Sequence, residues 1–150
     1  GKAMDTKIKL SAGYAVDNSA DDNEHFGGGI ALQHSSGIGV SYGIEYINDR
    51  SLDDIRANDP LFQHGQLSYS AKLNEMGKSM FIYEYAHHEN KVRTATNDTA
   101  TAHSVGFHQS IDAAASEVGV RYTHAELDRD GTTFLNDDVD AVSLHLRVKF

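Results

Sequence analysis

The sequence contains no cysteine and no tryptophan, and it has only one proline among 150 residues. Without cysteine there is no disulfide framework, no thiolate metal site and no cysteine nucleophile. Basic residues are also scarce, since 13 Lys and Arg stand against 22 Asp and Glu for a formal net charge of −9. That balance argues against a nucleic-acid partner, because phosphate binding needs a basic surface. No run approaches the ~18 consecutive apolar residues of a transmembrane helix, and the length predicts a single domain, 1–150.

The chain instead shows an alternation of apolar and polar side chains that recurs eight times. A period of two places each apolar set on one face of a strand. No sustained 3.6-residue period competes with it, so we predict an all-β chain of eight strands, each about ten residues long. The alternating segments are Ile8–Val16, Phe26–Leu32, Ile38–Tyr46, Leu67–Leu73, Phe81–Tyr85, Val105–Ile111, Val118–Tyr122 and Val142–Phe150.

Short and long connections come in turn between these segments. This order predicts an antiparallel up-and-down meander with its tight turns at one end. Eight such strands can close into a small barrel, which removes both exposed edges. The short connections are 35–37, 74–78 and 112–114, and the long ones are 17–25, 48–63, 88–101 and 128–138.

Three features indicate that the apolar face points outwards, towards lipid. It carries no Asp, Glu, Lys or Arg within the alternating segments, as expected where a charge near the bilayer midplane costs about 2–4 kcal/mol. It holds eleven of the thirteen Tyr and Phe residues, many near strand ends where interfacial girdles form. The opposite face is rich in glycine and serine, which leave room for long charged side chains inside a narrow barrel. We therefore predict a transmembrane β-barrel.

The last strand is the fourth feature. Its apolar residues alternate and end in an aromatic ring, which resembles the C-terminal assembly signal of bacterial outer-membrane barrels, with His145 where that signal often has glycine. These residues are Val142, Leu144, Leu146, Val148 and Phe150. The whole chain resembles the small eight-stranded outer-membrane barrels, a group that includes the OmpA transmembrane domain, OmpX, Ail-type attachment proteins and opacity proteins.

That resemblance implies a location and a set of partners. It implies a monomer in the bacterial outer membrane, with termini in the periplasm and long loops outside, and an N-terminal signal peptide that this sequence lacks. The expected partners are outer-membrane lipid, lipopolysaccharide and the barrel-assembly machinery. A host or surface ligand could bind the acidic loops, and no nucleic-acid partner is expected.

The long connections carry the acidity of the chain, with fourteen acidic residues against five basic ones. Such loops are either simply solvated, or they attract hard cations or a basic partner. Asp128-x-Asp130-Gly131 is only a fragment of a calcium-loop pattern. Simple solvation is the favoured interpretation, and divalent cations, if they bind here, are expected to bridge these carboxylates to lipopolysaccharide phosphates rather than to occupy a dedicated metal site.

Charged residues on the Gly/Ser-rich face predict a network inside the barrel, because a charge in a narrow lumen must be paired or hydrated. We expect Glu84 to pair with Arg121, and Glu117 with Arg147. The predicted lumen network comprises Glu45, Glu84, Glu117, Arg121, Lys72 and Arg147.

Histidine and serine raise the question of catalysis or metal binding. His108-Gln109-Ser110 is similar to the His-x-Ser pair of lipid A deacylases, but parity places His108 and Ser110 on the lumen side, beside a short turn. We therefore predict no catalytic residues and no cofactor. Histidines near the loop end could approach one another and bind Zn²⁺ or Cu²⁺, although a position at headgroup height is the favoured interpretation. They are His87, His88, His103 and His124.

Three functions are consistent with these patterns. The first is a non-enzymatic outer-membrane barrel that serves surface interaction, adhesion or envelope integrity. The second is a narrow pore for small solutes or ions, which requires a continuous water path past the lumen charges. The third is a soluble, lipocalin-like ligand-binding barrel with its faces inverted.

Overall fold

The computed structural model describes residues 5–17, 23–48, 59–90, 98–129 and 137–148. Eight strands form one antiparallel sheet whose spatial order follows the chain order, so the predicted all-β, up-and-down architecture is confirmed. The strands are β1 (Thr6–Asp17), β2 (Asn23–His34), β3 (Ile38–Asn48), β4 (Leu61–Asn74), β5 (Gly77–Glu89), β6 (Asp98–Ile111), β7 (Ser116–Arg129) and β8 (Asp137–Val148). A one-turn 3-10 helix, Asp112–Ala114, joins β6 to β7. Within these ranges no helix has the length and apolar character needed to span a bilayer.

The strands are longer than the alternating segments that predict them. β4 begins at Leu61 and β6 at Asp98, both inside stretches predicted as long connections. Backbone pairing continues past the apolar residues because a ladder needs only N–H and C=O groups, and Thr99 and Thr101 suit a strand as well as valine does. The predicted limits of these connections are therefore wrong by several residues.

The register brings all eight apolar sets onto one face of the sheet, which we call the apolar face; the opposite side is the polar face. One row of cross-strand partners crosses the whole apolar face, and we call it the central row. It consists of Ile8, Leu32, Val40, Leu67, Tyr83, Val105, Tyr122 and Val142.

The apolar face is the more exposed of the two. Large side chains in the middle of the sheet, such as Tyr42 and Tyr83, are 43% and 42% exposed. On the polar face, the side chains of Glu84 and Glu117 are only 18% and 23% exposed. The sheet therefore curves around its polar face and presents its apolar residues outwards.

The sheet is not closed. Its order begins at β1 and ends at β8, and in the part of the chain that the structure describes these two strands pair only with β2 and β7. Apolar residues on them are accordingly more exposed than those at the centre, with Leu10 at 76% and Leu144 at 85%. Each edge presents an unpaired row of backbone donors and acceptors.

One polar residue on the apolar face is covered by a turn. A bulge between Ala71 and Asn74 leads into the β4–β5 connection, and beneath it Gln109 is only 4% exposed. Its Oε1 accepts hydrogen bonds from Ser79 Oγ at 2.6 Å and Asn74 Nδ2 at 3.1 Å, while its Nε2 donates to the Ser110 carbonyl at 2.8 Å. Because its polar atoms are bonded, Gln109 interrupts the alternation without leaving an unsatisfied amide.

Candidate functional site

Glycines on the polar face leave space for larger neighbours. The clearest case is Gly119, where an added Cβ would lie 2.8 Å from Nδ1 of His108. His108, Gly119 and His145 are consecutive register partners on β6, β7 and β8. The missing side chain on β7 lets two imidazole rings approach each other over it, with centroids 5.7 Å apart.

An ion pair spans the polar face from β5 to β7. Nη1 of Arg121 lies 2.9 Å from Oε2 of Glu84, so the pair predicted from the sequence is present. Nε2 of Gln66 donates to Oε1 of the same carboxylate at 3.5 Å. Both oxygens of Glu84 are therefore occupied, as a half-buried charge requires.

The second predicted pair is replaced by contacts to histidine. Glu117 and Arg147 are register partners, but among the described residues Oε1 of Glu117 contacts Nδ1 of His108 at 3.3 Å and Nε2 of His145 at 3.9 Å. The prediction of a Glu117–Arg147 ion pair is wrong. The reason is local, because Gly119 admits both imidazoles to the space in front of the carboxylate.

The remaining predicted lumen charges do not form one continuous network. Oε1 of Glu45 lies 3.4 Å from Nδ1 of His25, and Lys72 makes no ion pair with any described residue. Histidines are therefore the partners that the sequence argument missed. The two-residue period places His25, His108 and His145 on the same face as the glutamates. That shared face was the sequence signal from which these contacts could have been predicted.

On the apolar face, tyrosine hydroxyls point towards the long connections. Five tyrosines donate to, or share a proton with, a polar group that lies nearer the loop end than the ring itself. The pairs are Tyr14 with Glu24 at 3.2 Å, Tyr42 with Gln63 at 2.8 Å, Tyr46 with Asp59, Tyr83 with His103 at 2.8 Å, and Tyr122 with Asp140 at 2.6 Å. This shared direction marks the level at which the apolar surface gives way to polar groups.

The loop-side limit of the apolar surface lies at a different distance from the central row on different strands. On β1 the apolar run continues to Val16, eight positions past Ile8, and on β3 it continues to Tyr46, six positions past Val40. On β8 it stops at Val142, in the central row itself, and Asp140 and Asp138 follow. Averaged over the steps from β1 to β8, the limit of this apolar band falls by about one residue per strand, and on β6, β7 and β8 it lies in the central row.

The loop-end histidines do not assemble into one group. His87, His103 and His124 lie on the apolar face, whereas His88 lies on the polar face against the ring of Phe62, with centroids 4.3 Å apart. Across the described ranges, no three His, Asp or Glu side chains are arranged to hold a metal ion. The suggested approach of all four histidines is wrong, because His87 and His88 are adjacent on one strand and point to opposite faces.

His124 lies just beyond the loop-side limit of the apolar band, between two carboxylates. Its Nδ1 is 2.9 Å from Oδ1 of Asp140, and its Nε2 is 3.2 Å from Oε1 of Glu126. The hydrogen bond to Asp140 is the largest influence and the bond to Glu126 the next, and together they raise the pKa of His124. Hydrogen bonds from Tyr122 and then His124 lower the pKa of Asp140.

His108 and Ser110 lie on the polar face near the Asp112–Ala114 turn, where parity predicts them. The His108 ring contacts the Glu117 carboxylate and the His145 ring, and within the described residues it has no hydrogen bond with Ser110. At least half of each acidic connection lies outside the described residues, as do Asp130, Gly131 and the terminal Phe150.

Comparison with known proteins gives no relative for this chain. No protein-family model matches the sequence, and no curated protein or solved structure is significantly similar to it. A functional assignment therefore depends on the two faces of the sheet, the sloping band and the charges of the polar face.

Proposed function

We propose that this chain is an integral protein of the bacterial outer membrane, an eight-stranded barrel without enzymatic activity. Its apolar face contacts lipid, its polar face lines a narrow lumen, and its acidic connections form an extracellular surface for interaction or adhesion. The proposal includes closure of the sheet by pairing of β1 with β8.

The observation that carries this proposal is the slope of the apolar band. A lipid-facing band must lie level in the bilayer, so a slope of about one residue per strand requires the strands to tilt against the membrane normal. An eight-stranded barrel with a shear of about eight has strands tilted by about 36°, and it shifts the register by about one residue per strand. The band thus has the slope that closure of this sheet requires.

The tyrosine hydroxyls support the same orientation. Amphipathic rings are enriched at membrane interfaces, where one end is apolar and the other is hydrated. Five hydroxyls directed towards the loop side, each bonded to a polar group, suit the outer interface of a bilayer. The inverted, lipocalin-like alternative would require rings such as Tyr42 and Tyr83 to lie in the interior, although both are more than two-fifths exposed.

Partners follow from this orientation. Lipid and lipopolysaccharide would surround the apolar face, and the barrel-assembly machinery would recognise the C-terminal strand through Val142, Leu144, Leu146, Val148 and Phe150. Charged residues of the polar face would lie in the lumen, where the Glu84–Arg121 pair bridges β5 to β7, so we propose a lumen without a continuous water path rather than a pore. Pairing of β1 with β8 would leave no free sheet edge for a second chain to pair with, which favours a monomer.

Cross-linking tests the closure directly, because the chain has no cysteine of its own. Closure with an offset of eight places Ala12 beside Leu146, and an offset of ten places it beside Val148; odd offsets are excluded because they would reverse the faces. We would combine Ala12→Cys with Leu146→Cys or with Val148→Cys. Ala12→Cys with Val142→Cys serves as the control, since neither offset brings those positions together.

The protein would be refolded in detergent and oxidised, and the products separated on a denaturing gel. We expect an intrachain disulfide in one of the two paired variants and none in the control, since Cα atoms must approach within about 7 Å. Cross-links only between chains, or none in either pair, would show that the edges do not meet. Partition of the folded protein into the aqueous phase without detergent would separately refute the membrane location.

A further inference from the structure

A pocket lies on the polar face between β1 and β4, towards the end of the sheet with the short turns. Its volume is about 370 Å³. Gly39 and Ala31 are among its lining residues, and the position of an added Cβ at Gly39 lies 2.6 Å from Oγ of Ser68 and 2.9 Å from Oε1 of Gln33. The other lining residues are Lys7, Lys9, Leu32, Gln33, Val40, Ser41, Gln66 and Ser68.

Among the described residues of this lining, the two lysines are the only charged ones and none is a carboxylate. Among the described residues neither Lys7 nor Lys9 forms an ion pair. Three other lining side chains donate to acceptors of their own: Nε2 of Gln33 to the Ile38 carbonyl at 3.1 Å, Oγ of Ser68 to the Gly39 carbonyl at 3.4 Å, and Nε2 of Gln66 to Oε1 of Glu84 at 3.5 Å. Two ammonium groups at one pocket therefore have no ion-pair partner within the described part of the chain.

We infer that this pocket binds the phosphate group of a small anion. Lys7 and Lys9 are two residues apart on one strand, so their side chains leave the same face about 6.6–6.8 Å apart. Flexible lysine stems can bring both ammonium groups to one doubly charged group, and lysine binds phosphate as a point charge. A carboxylate carries a single charge and matches the planar fork of arginine better.

The proposed closure of the barrel would strengthen this site, and this second argument alone rests on the proposed function. Pairing β8 with β1 at an offset of eight sets Arg147 beside Ser11, one step along the polar face from Lys9. Arg147 has no ion pair among the described residues, so it would add a third uncompensated cation. An anion at this seam would offset the repulsion among the three.

Titration calorimetry with pyrophosphate tests the inference on the full chain refolded in detergent. Ionic strength would be held constant with sodium chloride, because screening weakens any unspecific attraction. The test variant is Lys7→Gln with Lys9→Gln. The matched control is Lys72→Gln with Lys78→Gln, which removes the same charge near the same end of the sheet but outside the pocket lining.

We expect saturable binding to the parent protein, at least tenfold weaker binding to the Lys7/Lys9 variant, and less than a twofold change in the control. Amide NMR shifts should centre on Gln33 and Ser41. No saturable binding, or equal loss in both double variants, would overturn the inference. If the protein bound pyrophosphate but formed no β1–β8 cross-link, closure of the barrel would be refuted and the pocket assignment would stand. The two failures are therefore distinguishable.

Discussion

Two glycines differ in whether their surroundings would accept a side chain, and they allow a matched test. Gly77 has φ +149°, and an added Cβ would lie 2.7 Å from the Ser110 carbonyl oxygen and from Oδ1 of Asp112. Gly13 has nothing within 4 Å of the same position. We predict that Gly77→Ala lowers the free energy of unfolding by about 1–3 kcal/mol, because strain and overlap both oppose the methyl group.

Urea unfolding of the refolded protein measures this difference. Gly13→Ala should change the free energy of unfolding by no more than about 0.5 kcal/mol, as at most surface positions. If both substitutions had the same effect, the tight β4–β5 connection would not depend on the missing side chain. The turn that covers Gln109 would then need another explanation.

His124 predicts a stability that depends on pH. Its pKa is raised in the folded state, so its contribution is complete below the ordinary histidine value of 6.5 and is lost as pH rises through the raised value. The pKa of Asp140 is lowered, so its contribution is complete above 3.8 and is lost as pH falls through the lowered value. Between pH 3.8 and 6.5 both groups are charged in the folded protein and attract each other.

We therefore expect His124→Gln to reduce stability most between pH 3.8 and 6.5, and progressively less above that range. Urea unfolding at a series of pH values gives the measurement. Asp140→Asn is the control, since in that background the effect of His124→Gln should be smaller across the same range. A difference between parent and His124→Gln that stayed constant up to pH 9 would contradict the assignment of His124 to this pair.

Parity alone predicted the face of each charged residue, but not its partner. A two-residue period places Glu84, Glu117 and Arg121 on the polar face whatever the details of pairing. The partner depends on register and on which neighbour is a glycine. The Glu117 carboxylate meets histidines because Gly119 opens the row between them, and that space becomes evident only when β6, β7 and β8 are aligned.

At the scale of elements, the Glu84–Arg121 pair joins two strands that are not neighbours. It crosses β6, where the row of Arg121 contains Gly106, so it connects β5 and β7 directly. We predict a coupling free energy of about 0.5–3 kcal/mol in a double-mutant cycle of Glu84→Gln and Arg121→Gln. The losses of stability from the two single replacements should add up to more than the loss from the double replacement. The reason is that each single replacement leaves one half-buried charge without its partner.

The control cycle pairs Glu84→Gln with Arg147→Gln, since Arg147 has no ion pair among the described residues. Its coupling should lie within about 0.5 kcal/mol of zero, as for distant sites. Equal coupling in both cycles would mean that the net charge of the polar face matters rather than the contact across β6.

The existence and order of the strands followed from alternation, whereas their ends did not. Apolar residues report only the part of a strand that lies in the band, and β5, β6 and β7 continue beyond it with polar residues such as Glu89 and Thr99. Their backbone pairing is the same as in the band. A sequence argument based on hydrophobic period therefore finds the band and underestimates the strand.

At the scale of the whole molecule, the sequence pattern predicts which face points outwards. The slope of the apolar band, in contrast, follows from how the strands pair. The alternating segments of β1 and β8 look alike in the sequence. Only the pairing shows that Val16 and Val142, the loop-side ends of their runs, are displaced by eight positions relative to the central row. That displacement is the offset that a tilted, closed barrel of eight strands would need, and it becomes evident only when the strands are aligned.

A charge placed inside the band distinguishes a lipid-facing surface from a water-facing one. Leu144 lies within the band on β8 and Asp138 lies beyond it, and both are exposed. For the protein refolded into lipid vesicles, we predict that Leu144→Arg lowers the free energy of unfolding by about 2–4 kcal/mol and that Asp138→Arg changes it by no more than about 1 kcal/mol. If the apolar face contacted water, arginine at an exposed site would be tolerated at both positions, so equal and small effects would refute the proposed membrane protein.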